Sequence, residues 1–257
     1  MTSTAARTAL VGGSVADGSG AEARSADVLL SGGRVEAVVP LGERPAGGYD
    51  AALVDCAGRI VAPGFVDVHC HSDITLLAYP GNASRVTQGV TTEVVGNCGM
   101  SPAPGNADPE GLAGIIATID VTPDVPWAWS DVAGWLRALD EAETATNVAA
   151  QVGHGSARFA VAGTAARPLD DAELDALEAE LEAAFEAGVV GASVGLMYAP
   201  GSRRPRPSST GSPSWSRATT VSCRRICAST CRAWSPRRST RSRGRRVARV
   251  RACRSRT

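Results

Sequence analysis

The sequence predicts an α/β chain in which a small β module leads into an incomplete TIM-type (β/α) barrel. Three observations carry this. Residues 7–60 hold short alternating strands separated by Gly, Asp and Ser turns, with no helical period. From Phe65 onward, strand-like runs alternate with helix-like runs, the order that builds a parallel sheet with helices outside. Polar and glycine-rich motifs follow the strand ends, the position where barrel enzymes keep their chemistry.

Along the chain, Thr8–Val11, Asp27–Leu30, Arg34–Val39 and Ala52–Asp55 read as the strands of the β module, with Gly32-Gly33 turning the chain between the second and third. Pro63-Gly64 turns the backbone, and Phe65–Val68 reads as a short, buried, β-branched strand. Thr91–Val95 is a second strand, ending in Gly96-Asn97-Cys98-Gly99. A helix is predicted from Ser130, as N-cap, to Glu143, with Val132, Trp135, Leu136 and Leu139 on one face. Asn147–Val152 is a third strand, running into Gly153-His154-Gly155. Residues 168–187 form the clearest helix, striped by Leu174, Leu177, Leu181 and Phe185 and stopped by Gly188. A fourth strand, Val189–Ser193, leads into Gly195–Gly201. Four strands are half of an eight-stranded barrel.

The formal charge of zero conceals two opposite halves. Residues 1–200 hold 9 arginines and all 26 acidic residues, a net of −17; residues 201–257 hold 17 arginines and no acid, and the chain has no lysine. No stretch resembles a signal peptide or a membrane span, so a cytoplasmic location is expected, where seven cysteines imply thiols or metal ligands rather than disulfides.

His69 and His71 end the Phe65 strand. Side chains two residues apart in an extended chain share a face, so this pair offers two imidazoles to one point, and imidazole is a common zinc ligand. Two ordinary surface histidines are the alternative. Metal binding is favoured because the chain has only three histidines and two of them sit together at a strand end. Cys70 alternates to the opposite face, toward the core. Asp67 precedes the pair on their own face and either orients a ligand imidazole from behind or is a plain strand-end carboxylate.

Gly58–Asp73, with Pro63-Gly64-Phe65-Val66-Asp67-Val68-His69-Cys70-His71 at its centre, resembles the opening of the amidohydrolase superfamily barrel. Thr87–Pro102, containing Gly96-Asn97-Cys98-Gly99, is similar to the N-acyl-D-amino-acid deacylases of that superfamily, and the resemblance extends over roughly residues 7–201. It implies zinc-dependent hydrolysis of a small-molecule N-acyl-D-amino acid to a D-amino acid and a carboxylate. It also implies that residues 1–60 are part of a β-sandwich and that 61–201 are the first half of the barrel. In it His69, His71 and Cys98 are metal ligands, Cys98 taking the place that other amidohydrolases give to a carbamylated lysine. A small buried thiol in a tight turn is the alternative for Cys98. His154 and Tyr198 fall in stretches assigned to the substrate pocket; a tyrosine packing on the barrel rim is an equal reading of Tyr198. The family's later ligand histidines, its acid/base aspartate and its carboxylate-binding arginine have no counterpart here, so the chain as it stands is expected to be inactive. Another amide or cyclic-amide hydrolase of the superfamily is the second reading.

Residues 202–257 break the pattern, being rich in Arg, Ser, Pro and Thr without sustained periodicity. A disordered nucleic-acid-binding tail is one reading and a metal cluster of Cys223, Cys227 and Cys231 another. The favoured reading is a shifted reading frame. Synonymous codons can be chosen for Arg225–Trp234 that, read from the third base, give His-Leu-Arg-Val-Asn-Leu-Pro-Gly-Met, and the same frame through Arg254–Thr257 can give Val-Ser-His. Both resemble the family's later histidine motifs.

Overall fold

The structure, a computed structural model, describes residues 7–200 apart from 106–107, 121–124, 166 and 196. The expectations placed on residues 202–257, including Cys223, Cys227 and Cys231, lie outside the described residues. Two compact units divide at Gly64 and Phe65.

The first unit is one sheet. Strands β1 (Thr8–Val15), β2 (Arg24–Ser31), β3 (Arg34–Pro40) and β4 (Ala52–Asp55) lie in the order β3-β2-β1-β4, and a two-residue β5 (Ile60–Val61) also pairs with β1. This last pairing places Ile60 and Val61 with the first unit. The β2–β3 hairpin turns on Gly32 and Gly33, at φ 57° and 74°. Both are left-handed, as a two-residue turn matched to strand twist requires, and only glycine takes that region freely. Val15, Ala26 and Val28 form the small core, flanked by Leu10, Leu30, Val38 and Val61. Asp27, between Ala26 and Val28 on β2 and so directed to the other face of the sheet, is also buried. Its carboxylate accepts from Arg44 Nε at 2.6 Å and Nη2 at 2.7 Å, from Tyr49 Oη at 2.9 Å and from the Gly12 N–H at 2.8 Å. The Arg44 hydrogen bond outweighs burial and holds its pKa down at about 2.

The second unit alternates strand and helix. Its elements are β6 (Phe65–Asp67), α1 (Thr75–Ala78), α2 (Ala83–Val86), β7 (Val90–Val95), α3 (Pro109–Ile116), α4 (Val132–Glu141), β8 (Asn147–Gly153), α5 (His154–Ala162), α6 (Asp171–Ala187) and β9 (Gly191–Ser193). The four strands pair in parallel, in the order β6-β7-β8-β9, and curl as a half-barrel. Helices cover the outside through Leu112, Ile116, Trp135, Leu139, Leu177 and Leu181, which pack against Val95, Ala150 and Val152. Among the described residues no helix is long and apolar enough to cross a membrane.

Four details differ from the sequence reading. Helix α4 is capped by Asp131, whose side chain accepts the Gly134 N–H, and not by Ser130. A carboxylate one residue nearer the helix reaches the free N–H groups better. Helix α6 starts at Asp171, because Asp170 and Glu173 close a capping box, and it stops at the left-handed Gly188. His154 belongs to a helix, since β8 passes directly into α5. Phe65, Val66 and Val68 are exposed rather than buried, at 66%, 51% and 68%. Strand β6 pairs only with β7, so its other edge has no strand partner among the described residues.

Candidate metal centre

The chemistry-bearing side chains gather at the C-terminal ends of β6 and β7. His69 and His71 follow the end of β6, and Cys98 lies in the Gly96–Gly99 turn that follows β7. Their ligand atoms all lie within 4.8 Å of one another. His69 Nε2 is 3.3 Å from Cys98 Sγ, and the two imidazole rings meet edge-on, with centroids 5.6 Å apart and an interplanar angle of 73°. Atoms bound at about 2.0–2.3 Å to one tetrahedral ion stand roughly 3.3–3.8 Å apart, so a small side-chain adjustment closes the cluster on an ion. His71 Nδ1 is buried and lacks a hydrogen-bond partner, as a nitrogen left for a metal would. Burial, then the neighbouring His69, pushes the His71 pKa down, with Asp120 opposing, and this keeps its imidazole neutral and its lone pair available near pH 7. Two imidazoles and a thiol form a donor set suited to zinc.

The supporting residues hold main chain more than side chains. Asp67 accepts the His69 backbone N–H at 3.2 Å and the Arg85 guanidinium at 2.9 Å, so its bonds fix the chain beneath the histidines and not their rings. Arg85 also lies 3.5 Å from Glu93, a fully buried carboxylate that accepts from Ser72 at 2.8 Å, from Thr146 at 2.7 Å and from Asn82. Asp73 accepts the Gly96 N–H at 2.6 Å at the start of the cysteine turn. Cys70 points into the core, as alternation requires; its thiol donates to Val94 O, and burial raises its pKa to about 11. It is therefore a protonated core thiol.

The turn that carries Cys98 is built from left-handed residues: Gly96 at φ 78°, Cys98 at 57° and Gly99 at 74°. It is wedged between the later loops. A Cβ on Gly153 would stand 2.6 Å from the Gly99 carbonyl, and one on Gly195 would overlap the Cys98 carbonyl oxygen. Only glycine fits either place. Ser193 on β9 donates to Gly96 O at 2.5 Å and accepts from Gly99 N at 2.9 Å. Its spacing in the sequence carries no signal of this, and neither does that of Glu93.

His154 opens α5 at the C-terminal end of β8. Its Nδ1 is buried without a hydrogen-bond partner, and burial, then Arg158, lowers its pKa. The next two backbone N–H groups, of Gly155 and Ser156, donate to Gly99 O, so the helix start is tied to the cysteine turn. Tyr198 is 42% exposed, and its ring lies against Gly195.

The amidohydrolase family model matches residues 52–191. The N-acyl-D-glutamate deacylase of Alcaligenes xylosoxydans xylosoxydans is 42% identical over 190 residues, covering 74% of this chain and 37% of that protein. Among solved structures, the N-acyl-D-glutamate deacylase of Bordetella bronchiseptica, complexed with zinc and a phosphonate mimic of the tetrahedral intermediate, superposes with a TM-score of 0.68 at 39% identity, over 79% of this chain and 40% of that one. A D-aminoacylase with a binuclear metal centre superposes with a TM-score of 0.73 at 32% identity, over 86% and 43%. The chain thus spans about two-fifths of the length of the relatives it matches. Paired with a half-barrel whose strand ends gather two histidines and a cysteine, these matches show that the chain belongs to the amidohydrolase family.

Proposed function

We propose that this chain supplies the metal-binding half of a zinc-dependent hydrolase that cleaves the amide of small N-acyl-D-amino acids. The convergence of His69, His71 and Cys98 within 4.8 Å carries the reading. Zinc held there supplies Lewis-acid polarisation of the amide carbonyl and brings the pKa of water down to about 7. The chain's own residues prepare that site. His71 stays neutral, the Asp67–Arg85 pair fixes the His69 main chain, and the glycine-lined turn presents the Cys98 thiol. His154 and Tyr198 follow β8 and β9 at the same strand ends and are assigned to the substrate side. No described residue is assigned the proton transfer to the leaving amine, which contributes about 10²–10⁴-fold in rate, or the anchoring of the substrate carboxylate. The 257-residue chain should therefore bind zinc without turning substrate over. We also read residues 202–257, with 17 arginines and no acid, as the product of a shifted reading frame; the nucleotide sequence from the Tyr198 codon onward tests this.

The functional test is zinc binding by equilibrium dialysis, alongside an assay with N-acetyl-D-glutamate. His69→Ala, His71→Ala and Cys98→Ala should each lower zinc affinity by at least about 10-fold and leave the far-UV spectrum unchanged. Zinc affinity indifferent to all three overturns the metal assignment. Sustained turnover by the unaltered chain overturns the expectation that it lacks the groups for proton transfer and substrate anchoring.

A further inference from the structure

We propose that Ser193 is the positioning residue of the Cys98 thiol, so that strand β9 sets the geometry of a metal centre whose ligands come from β6 and β7. The inference rests on the metal reading above. The Gly96–Gly99 turn cannot hold its shape through a regular hydrogen-bond ladder, because three of its four residues are left-handed. Partners outside the turn must satisfy it. Asp73 takes the Gly96 N–H, and the Asn97 amide donates to Val94 O at 2.7 Å and Cys70 O at 3.1 Å; both act ahead of the cysteine. Gly99 O accepts from Gly155 and Ser156, behind it. Among the described residues, Ser193 is the side chain that bonds on both sides of Cys98, with one hydroxyl joining Gly96 O to Gly99 N.

That task selects the residue type. The bridging atom must donate and accept at once, which a hydroxyl does and a methyl or a carboxylate does not. It must also be short, since β8 and β9 pair Gly153 with Ser193 directly behind the turn. Without the hydroxyl, Gly96 O and Gly99 N lose their shared partner, and the Met100 N–H bond to Asn97 O, at 3.0 Å, is left to hold the left-handed Cys98 in place beside His69. Residues that orient ligands in this way typically change metal affinity by about 10–100-fold.

The experiment uses the full chain, stripped of metal by chelation and titrated with cobalt(II). The thiolate-to-cobalt charge-transfer absorption lost in Cys98→Ala defines the contribution of Cys98. Ser193→Ala should weaken that absorption and lower cobalt affinity by about 10–100-fold, and Ser193→Thr should return both to within about threefold of the unaltered chain. A merely structural serine would lower the unfolding midpoint without moving the spectrum of the folded, loaded protein. If Ser193→Ala does not fold, the isosteric pair Ser193→Thr and Ser193→Val carries the test, with the threonine form expected to keep the band and the valine form to lose it. A band and an affinity that ignore Ser193 overturn this inference alone. The absence of a Cys98-dependent band in the unaltered chain overturns the metal reading, and this inference with it.

Discussion

Removing the Glu93 carboxylate should destabilise the half-barrel more than almost any other single polar change. Glu93 is fully buried on β7 and gathers donors from three other segments: Ser72 before α1, Asn82 and Arg85 at α2, and Thr146 before β8. Glu93→Ala takes the shared acceptor from the Ser72 and Thr146 hydroxyls and from the Asn82 amide, which keeps its 3.1 Å bond to Thr146 Oγ1. Each buried orphan costs about 1–3 kcal/mol, and breaking a buried charged network costs about 3–5 kcal/mol in all. Glu93→Gln should cost less, about 1–3 kcal/mol. The Ser72 hydroxyl can rotate to accept from the new amide, and Arg85, which cannot, keeps its 2.9 Å bond to Asp67. A domain stability of about 5–15 kcal/mol makes the alanine loss a large fraction of the whole. The assay is urea unfolding followed by circular dichroism, with shared slopes across the three proteins. A Glu93→Ala chain within about 1 kcal/mol of the unaltered one refutes the reasoning, because it would mean that the donors find water or new partners at little cost.

Two further outcomes are expected. Gly195→Ala places a methyl on the Cys98 carbonyl oxygen, and the overpacking should cost about 1–3 kcal/mol in the same urea assay and weaken cobalt binding; an unchanged cobalt isotherm would contradict the contact. Asp27 has a pKa lowered from 3.8 to about 2, so its stabilisation is full above about pH 4 and fades as pH falls toward 2. Allowing for solvent screening of the partly exposed Arg44, this amounts to roughly 1–2 kcal/mol, so the gap between the unaltered chain and Asp27→Asn should be widest above about pH 4 and shrink toward about pH 2 in unfolding midpoints. A gap that grows on acidification would reverse the sign.

By itself, the sequence determined the features set by local periodicity and by residue chemistry that no neighbour can alter. Alternation sent His69 and His71 one way and Cys70 the other. The leucine stripe and Gly188 delimited α6, and the paired glycines at 32 and 33 located a hairpin. The strand–helix order implied a parallel sheet, and that is the sheet observed. Tertiary structure decided whatever depends on partners distant along the chain. A glutamate inside a strand reads as a solvent-facing residue until Thr146, 53 positions away, supplies a hydroxyl and Asn82 an amide. Asp67 shares a strand face with the histidines, yet Arg85 on α2 draws its carboxylate to the guanidinium and the His69 main chain. Phe65, Val66 and Val68 have the composition of a buried strand, but burial is a property of whatever lies opposite, and β6 is an edge. Ser193 lies 97 residues from Gly96, and no spacing rule reaches that far. Periodicity records which way a side chain leaves the backbone; only the folded chain supplies the atoms it meets.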